Sequence, residues 1–489
     1  MSFKFKPIKR QSINIDCGNK IVFVLLGMGG ANSYLAYELA QIASLSDKRT
    51  DIVMVDSSNV TKENIITEKF TNKDLGKNKA EVTASRCASS FDIEIEVYDK
   101  EIESKEDIIK IFEGRMGYFP IIICNDMDMK TYKCLNGAME SISDAVILTG
   151  NLSYSYGDIT LSYRENGVYK TTDFLAGYNT YSQGEYSKPL LLEASRNMFL
   201  FLDDIICEKS INVEKVTFNS AIKTCSSKYI GEDESYAEDV ITNKLDVRTS
   251  DNILCIVIGV GGTGGTVAYE VAHLASFAPK NMKLVFIDGD IIESKNLNRQ
   301  RFIVQDLNKY KSDVTARRCK NAYGVDIKSV NEYITDAEDI YSLIRTHKEY
   351  TPIILGCSDS LKLRYLVCEA IKNAKDLSDM PKDIIYIDAG NGEHYGQVIF
   401  TYIKDGKYIT PDYFTDSPQS LEDVYKAKLV TQLSCDELMN SAPQTKGANM
   451  STAVNIYSYL HDVIYDNPIM KYKSEFNNVS RRLTSVNIK

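Results

Sequence analysis

The chain has 489 residues, too many for one ordinary hydrophobic core, so two domains, or three with an inserted piece, are expected. Hydrophobic residues make up 44% and charged residues 25%, which argues against both a disordered and a membrane class, and a formal charge of -10 offers no broad basic field for nucleic acid. No stretch approaches the roughly eighteen uninterrupted apolar residues of a membrane span.

The basic start at residues 1–11 is followed by Asn14, Asp16 and Asn19 rather than the apolar core of a signal peptide, so a cytoplasmic protein is expected. Residues 20–32, KIVFVLLGMGGAN, read as an apolar strand entering a glycine turn, followed by an amphipathic helix over 34–43 and a second strand ending at Asp56. This is a β-α-β unit. Further on, 120–124 is a short apolar strand whose polar sequel, with Asp126, would lie at the carboxyl end of a parallel sheet, where open α/β sheets bind ligands. Residues 226–250, acidic around 232–239, read as the linker.

The pattern then repeats. Residues 252–264, NILCIVIGVGGTG, restate the first strand and turn, so that Gly27 and Gly259 stand 232 positions apart. The same offset pairs Asp56 with Asp288, Asn64 with Asn296, Lys79 with Lys311 and Cys87 with Cys319. A helix over 266–275, a strand over 352–356 and, near the end, an apolar helix over 451–464 complete the second copy. The expected organisation is a first domain at 1–230, a linker at 231–250 and a second domain at 251–489, with a crossover loop and cysteine segment at about 404–450.

The turn Gly259, Gly261, Gly262, Gly264 would let phosphate approach backbone amides, and an acidic residue after the second strand suits ribose hydroxyls. A hydride-transfer enzyme would share that much. It would not need Asn296, Arg299 and Gln300, then Lys311, then Asp359, which supply cations for a polyphosphate and a carboxylate for magnesium. Without that company, the basic run 309–320 would read as an exposed helix face.

Taken together, NLNRQ at 296–300 and CSDSLKLR at 357–364 resemble the second and third motifs of the ThiF-type superfamily of ubiquitin-activating enzymes and molybdopterin and thiamin adenylyltransferases. The resemblance covers about 252–402 well and the rest loosely. It implies two doubly wound Rossmann-like α/β adenylation domains in tandem, packed as a pseudodimer. It assigns ribose to Asp288 with Asp290 beside it, ATP phosphates to Asn296, Arg299 and Lys311, a supporting role to Gln300, and Mg2+ to Asp359. Ser360 departs from the asparagine often seen there.

The reaction implied is attack of a carboxylate on the α-phosphorus of ATP, with loss of pyrophosphate and no side-chain acid or base required. The four histidines, His273, His347, His394 and His461, accordingly read as core or surface residues. The implied substrate is a small ubiquitin-like or sulfur-carrier protein ending in glycine, with a conjugating enzyme as a further partner. A peptide, a modified tRNA base, or a non-catalytic nucleotide-binding scaffold are the alternatives.

The first copy keeps Gly27, Gly29, Gly30, Asp56, Asn64, Lys79 and Asp126. Asn32 replaces the last glycine, Ser58 the second aspartate, Thr67 the arginine and Glu68 the glutamine. It reads as an inactive half, with a divergent working site as the alternative. Arg10 reads either as an arginine lent to a partner half or as a solvated side chain.

Eleven cysteines, none spaced C-x-x-C, read as reduced thiols, and no structural zinc is expected. Cys255, Cys319, Cys357 and Cys368 fall on expected strands or helices and read as core. Cys435, in LSCDE, resembles the family's S-C-x-E segment and reads either as a thioester nucleophile or as a packed thiol.

Overall fold

The computed structural model describes residues 11–125, 127–173, 186–232, 243–297, 300–358, 360–416 and 444–488. It divides into two compact units. The first comprises Met1–Ser220, Cys225–Glu238 and Ser480–Arg482; the second comprises Ala221–Thr224, Asp239–Val479 and Leu483–Lys489.

In the first unit the described elements run β1 (Lys20–Leu26), α1 (Gly30–Leu45), β2 (Arg49–Val55), α2 (Lys62–Thr67), α3 (Lys79–Phe91), β3 (Glu96–Tyr98), α4 (Lys105–Ile111), β4 (Phe119–Asn125), α5 (Met129–Ala138), β5 (Ala145–Ser153), β6 (Tyr156–Glu165), β7 (Val168–Tyr169), α6 (Lys188–Ile206), β8 (Val213–Asn219) and β9 (Thr224–Tyr229). β3, β2, β1, β4 and β5 lie side by side in that order, all parallel, and β6 and β8 extend the sheet antiparallel. Their sequences explain the parallel core. β1, KIVFVLL, is buried at every position after Lys20, as a strand covered on both faces must be.

The second unit repeats the series: β10 (Asn252–Ile258), α7 (Gly262–Ala275), β11 (Asn281–Ile287), α8 (Lys311–Tyr323), β12 (Ile327–Val330), α9 (Ala337–Arg345), β13 (Thr351–Gly356), α10 (Leu361–Asn373), β14 (Ile384–Asn391), β15 (Tyr395–Lys404), β16 (Lys407–Tyr408), α11 (Tyr413–Asp416), α12 (Lys446–Ile464), β17 (Lys471–Asn477) and β18 (Arg482–Asn487). Its sheet runs β12, β11, β10, β13, β14 in parallel, then β15 and β17 antiparallel. In both units the order reverses beside the first strand, the switch point at which a doubly wound sheet opens a crevice. Register aligns the carboxyl ends: Ile258 is opposite Ile287 and Gly356, and Gly356 is opposite Asp388.

α12 packs against α7 and the end of the sheet, and nearly all of its residues are buried, so this apolar helix is a core element. No helix among the described residues is long and apolar enough to cross a membrane. The stretch 243–250, expected to be linker, is packed into the second unit: Leu245 bridges Ile469 through paired backbone hydrogen bonds and Val247 is buried. The first helix of each copy begins at Gly30 and Gly262, four residues earlier than hydrophobic periodicity indicates, because the glycine turn itself supplies the first helical residues.

Candidate functional site

The site of the second unit grows from the turn after β10. Gly259 has φ +84°, and a Cβ on Gly264 would lie 1.7 Å from the Gly259 carbonyl oxygen, so only glycine lets α7 close this tightly on its strand. Gly261 and Gly262 leave the start of α7 bare of side chains, with the Gln300 amide near the former and the Asn449 amide against the latter. Such a helix start presents unpaired backbone N–H groups and the positive end of the dipole.

Asp288, just past β11, is tied to this turn. Its Oδ2 accepts from the Val260 N–H at 2.7 Å and its Oδ1 from the Asp290 N–H at 2.9 Å. Burial raises its pKa, with Lys311 and the two backbone hydrogen bonds opposing. Asp290 accepts from Lys311 Nζ at 2.7 Å and from the Tyr333 hydroxyl. Burial would raise the Asp290 pKa, but those two bonds and the lysine charge prevail and hold it below the usual carboxylate range. Lys311 is the first residue of α8 and is buried, so the cation stands beside the turn with its charge already answered.

Asn296 is buried, and its Oδ1 accepts from the Glu293 N–H at 2.9 Å, closing the short 3-10 turn Ser294–Asn296. The structure therefore gives Asn296 a local capping role, while Gln300, also buried, lies next to Gly261. Ser360 caps α10, accepting from the Leu363 N–H at 3.2 Å. Arg299, Asp359 and Cys435, like Arg10 and Asp126, lie outside the described residues.

Two features were not singled out from sequence. Arg364, buried in α10, pairs with Asp388 at 2.6 Å, donates to the Ala389 carbonyl at 2.7 Å and lies over the Tyr413 ring; Asp388 also accepts from the Tyr386 hydroxyl at 2.8 Å. This buried network fastens the helix after β13 to the end of β14. The second feature is Asn449 in α12. Its Oδ1 accepts from Thr263 at 3.2 Å and from Asn391 Nδ2 at 3.0 Å, which turns its NH2 toward Gly262. That Nδ2 has no hydrogen-bond partner among the described residues, although Asn449 is only 3% exposed. Its only sequence signal is a polar residue within an apolar helix.

The first unit builds the same corner differently. Asp56 is fixed as Asp288 is, accepting from Met28 and Ser58 N–H groups at 2.7 and 2.8 Å. Asn32, at the place of Gly264, is fully buried and spends its amide on the Leu26 and Gly27 carbonyls, at 3.3 and 2.7 Å. Leu191 faces Gly30 as Asn449 faces Gly262. Lys79 pairs with Glu68 at 3.3 Å.

Among the cysteines, Cys255 and Cys368 are buried in a strand and a helix, and burial pushes the Cys255 thiol up to about 12. Cys319 is likewise buried in α8. Cys357 departs from the expected core position: it lies one residue beyond β13, is half-buried, and packs its Cβ beside Gly264. The described residues contain no cluster of three or more His, Cys, Asp or Glu placed to hold a metal.

A strand order that reverses beside a glycine turn, with a half-buried aspartate locked to that turn, defines the Rossmann-like, nucleotide-binding class of α/β fold. Residues 240–462 match the model of the ThiF family, and this part of the chain is a ThiF-family domain. Among solved structures, the chain is similar to Escherichia coli MccB with succinimide (17% identity, TM-score 0.34) and to E. coli MccB with MccA-N7isoASN (17% identity, TM-score 0.36). Each match covers 49% of this chain and 64% of MccB, so the chain spans less than two thirds of the MccB chain. Comparison with curated proteins found no match.

Proposed function

We propose that the second unit is an ATP-dependent adenylyltransferase that activates a carboxylate. The observation that carries this reading is the convergence, at the carboxyl ends of β10 and β11, of the bare start of α7, Asp288 locked to it, and Lys311 poised beside it on an exchangeable partner, Asp290. On this reading Asp288 accepts ribose hydroxyls, the Gly261–Gly262 corner takes phosphate oxygens, and Lys311 leaves Asp290 for the polyphosphate, with Arg299 as the second cation. Asn449 completes the set: its unmatched NH2 is a fixed donor for an anionic oxygen at Gly262. Magnesium, which is ordinarily held by one or two carboxylates together with the substrate phosphates, would neutralise charge on those phosphates, and Asp359 is the residue proposed to hold it.

The substrate we favour is the C-terminal glycine carboxylate of a small ubiquitin-like or sulfur-carrier protein, with Cys435 as acceptor in a second, thioester-forming step. The first unit is read as the inactive half, supported by Asn32 inside its turn and Glu68 over it. With magnesium, ATP and the carrier, the protein should exchange labelled pyrophosphate into ATP. Exchange with a peptide but with no carrier would move the assignment to peptide adenylation, and no exchange with any carboxylate would leave only a nucleotide-binding scaffold. Cys435→Ala should preserve exchange and abolish a reductant-sensitive carrier adduct. An adduct that survives the change removes Cys435 from the mechanism.

A further inference from the structure

The retained lysine of the first unit poses a question of charge. In the second unit Lys311 is neutralised by Asp290, to one side of the glycine turn. In the first unit Ser58 stands at the place of Asp290 and carries no charge, so Lys79 must find its counter-ion elsewhere. It finds Glu68, at 3.3 Å. The counter-ion has thereby moved from the strand-end loop to the top of the turn. A Cβ on Gly29 would lie 3.1 Å from Glu68 Oε1 and 3.2 Å from Lys79 Nζ, so carboxylate and ammonium both sit directly over it.

The carboxylate is held as a bound anion would be. The Gly30 backbone N–H, at the start of the 16-residue helix α1, favours its charged form, and Asn64 Nδ2 donates to Oε1 at 3.1 Å. Glu68 is 8% exposed, and its Oε2, facing Lys79, makes no hydrogen bond among the described residues. Burying a carboxylate is costly unless amides and a cation receive it, and the amide-rich start of a helix with a lysine alongside is the arrangement that receives a phosphate. At the corresponding place over Gly261 the second unit has the neutral amide of Gln300.

We propose that the first unit's glycine turn is a self-occupied anion site, in which the Glu68 carboxylate replaces a phosphate group and closes the unit to polyphosphates. Glu68 thus does more than repel a nucleotide from an open cleft: it takes the position itself and uses Lys79 for its own neutralisation. The inference goes beyond carboxylate activation and does not require that the second unit turn over.

The test is calorimetric titration of the full chain with inorganic pyrophosphate. Glu68→Gln, which installs the residue used by the second unit, should bind one more equivalent than the unchanged protein, whatever the second unit contributes to both. Adding Lys79→Met to that variant should abolish the additional equivalent. Equal stoichiometry in folded Glu68→Gln and the unchanged protein would overturn the proposal. Amine-reactive labelling of the unchanged protein provides a measurement that does not depend on the variant folding. Lys79 reactivity should be indifferent to pyrophosphate, and protection of Lys79 there would show the site already open and overturn the proposal.

Discussion

Asn449 and Glu68 are single residues at which the corresponding corners of the two units diverge. The NH2 of Asn449 is buried without a partner among the described residues, an arrangement that ordinarily costs about 1–3 kcal/mol. A leucine, the residue facing the corresponding glycine in the first unit, would remove that cost. Asn449→Leu also takes the shared acceptor from Thr263 and Asn391, so gain and loss should roughly offset in thermal stability, while pyrophosphate exchange should fall about 10²-fold, the usual scale for losing one donor to a developing charge. Unchanged exchange would assign Asn449 to packing alone. Glu68 has a pH signature. Burial raises its folded-state pKa, against the pull of Lys79 and the Gly30 amide. Between the ordinary glutamate pKa and that raised value the folded chain holds more proton than the unfolded chain, so the contribution of Glu68 to stability falls as pH rises through the window. Urea midpoints measured across this range should show that slope in the unchanged protein and lose it in Glu68→Gln.

At the scale of elements, the turns explain what the sequence disclosed. The glycines, the strand-end aspartates and the apolar runs are local signals, and the offset of 232 between Gly27 and Gly259 carried the β-α-β pattern from one copy to the other. Gly264 meets a steric demand visible in the sequence as the last glycine of the turn: a Cβ there would overlap the Gly259 carbonyl oxygen. Gly264→Ala should destabilise the second unit by about 1–3 kcal/mol or more, as backbone overpacking does, and reduce nucleotide affinity with it. Denaturant midpoint and nucleotide titration would check both, and a fully stable variant would contradict the packing. What stayed hidden depends on partners distant in sequence. The Arg364–Asp388 pair joins a helix to a strand end, and Asn449 meets Gly262 only because α12 returns across α7. Asn296, assigned to phosphate contact by resemblance, spends its side-chain oxygen on capping its own turn, an Asx habit that sequence alone does not separate from ligand binding. Conversely, Arg86–Asp74 and Arg318–Asp306 recur in both units as ion pairs, which marks them as framework shared by the two copies.

For the molecule as a whole, neither unit is a continuous stretch of chain. Ser480–Arg482 belongs to the first unit, where Arg481 is 1% exposed, pairs with Asp204 at 2.6 Å and lies over the Phe201 ring. Ala221–Thr224 belongs to the second, where Lys223 pairs with Asp462 at 2.5 Å and lies over the Tyr459 ring. Both cations sit at positive φ, 53° for Lys223 and 49° for Arg481. Burial lowers the Arg481 pKa to about 10, with Asp204 opposing. Removing one partner of a buried ion pair costs about 3–5 kcal/mol, and the partial exposure of Asp204 places Arg481→Leu toward the lower end. Urea unfolding should show that loss in the first unit, and a loss below about 1 kcal/mol would contradict a structural role for the cation.

The placement of Arg481 also sets a clock. During synthesis the first 232 residues emerge long before Ser480–Arg482, and at about 5–20 residues per second the interval is roughly 10–50 s. Throughout that interval Asp204 and the aromatic face of Phe201 lack the guanidinium that covers them in the finished protein. The first unit is therefore completed only after Asp239–Val479 of the second has been translated, and a nascent chain stalled between the two halves would carry an unfinished first unit that chaperones and proteases can recognise.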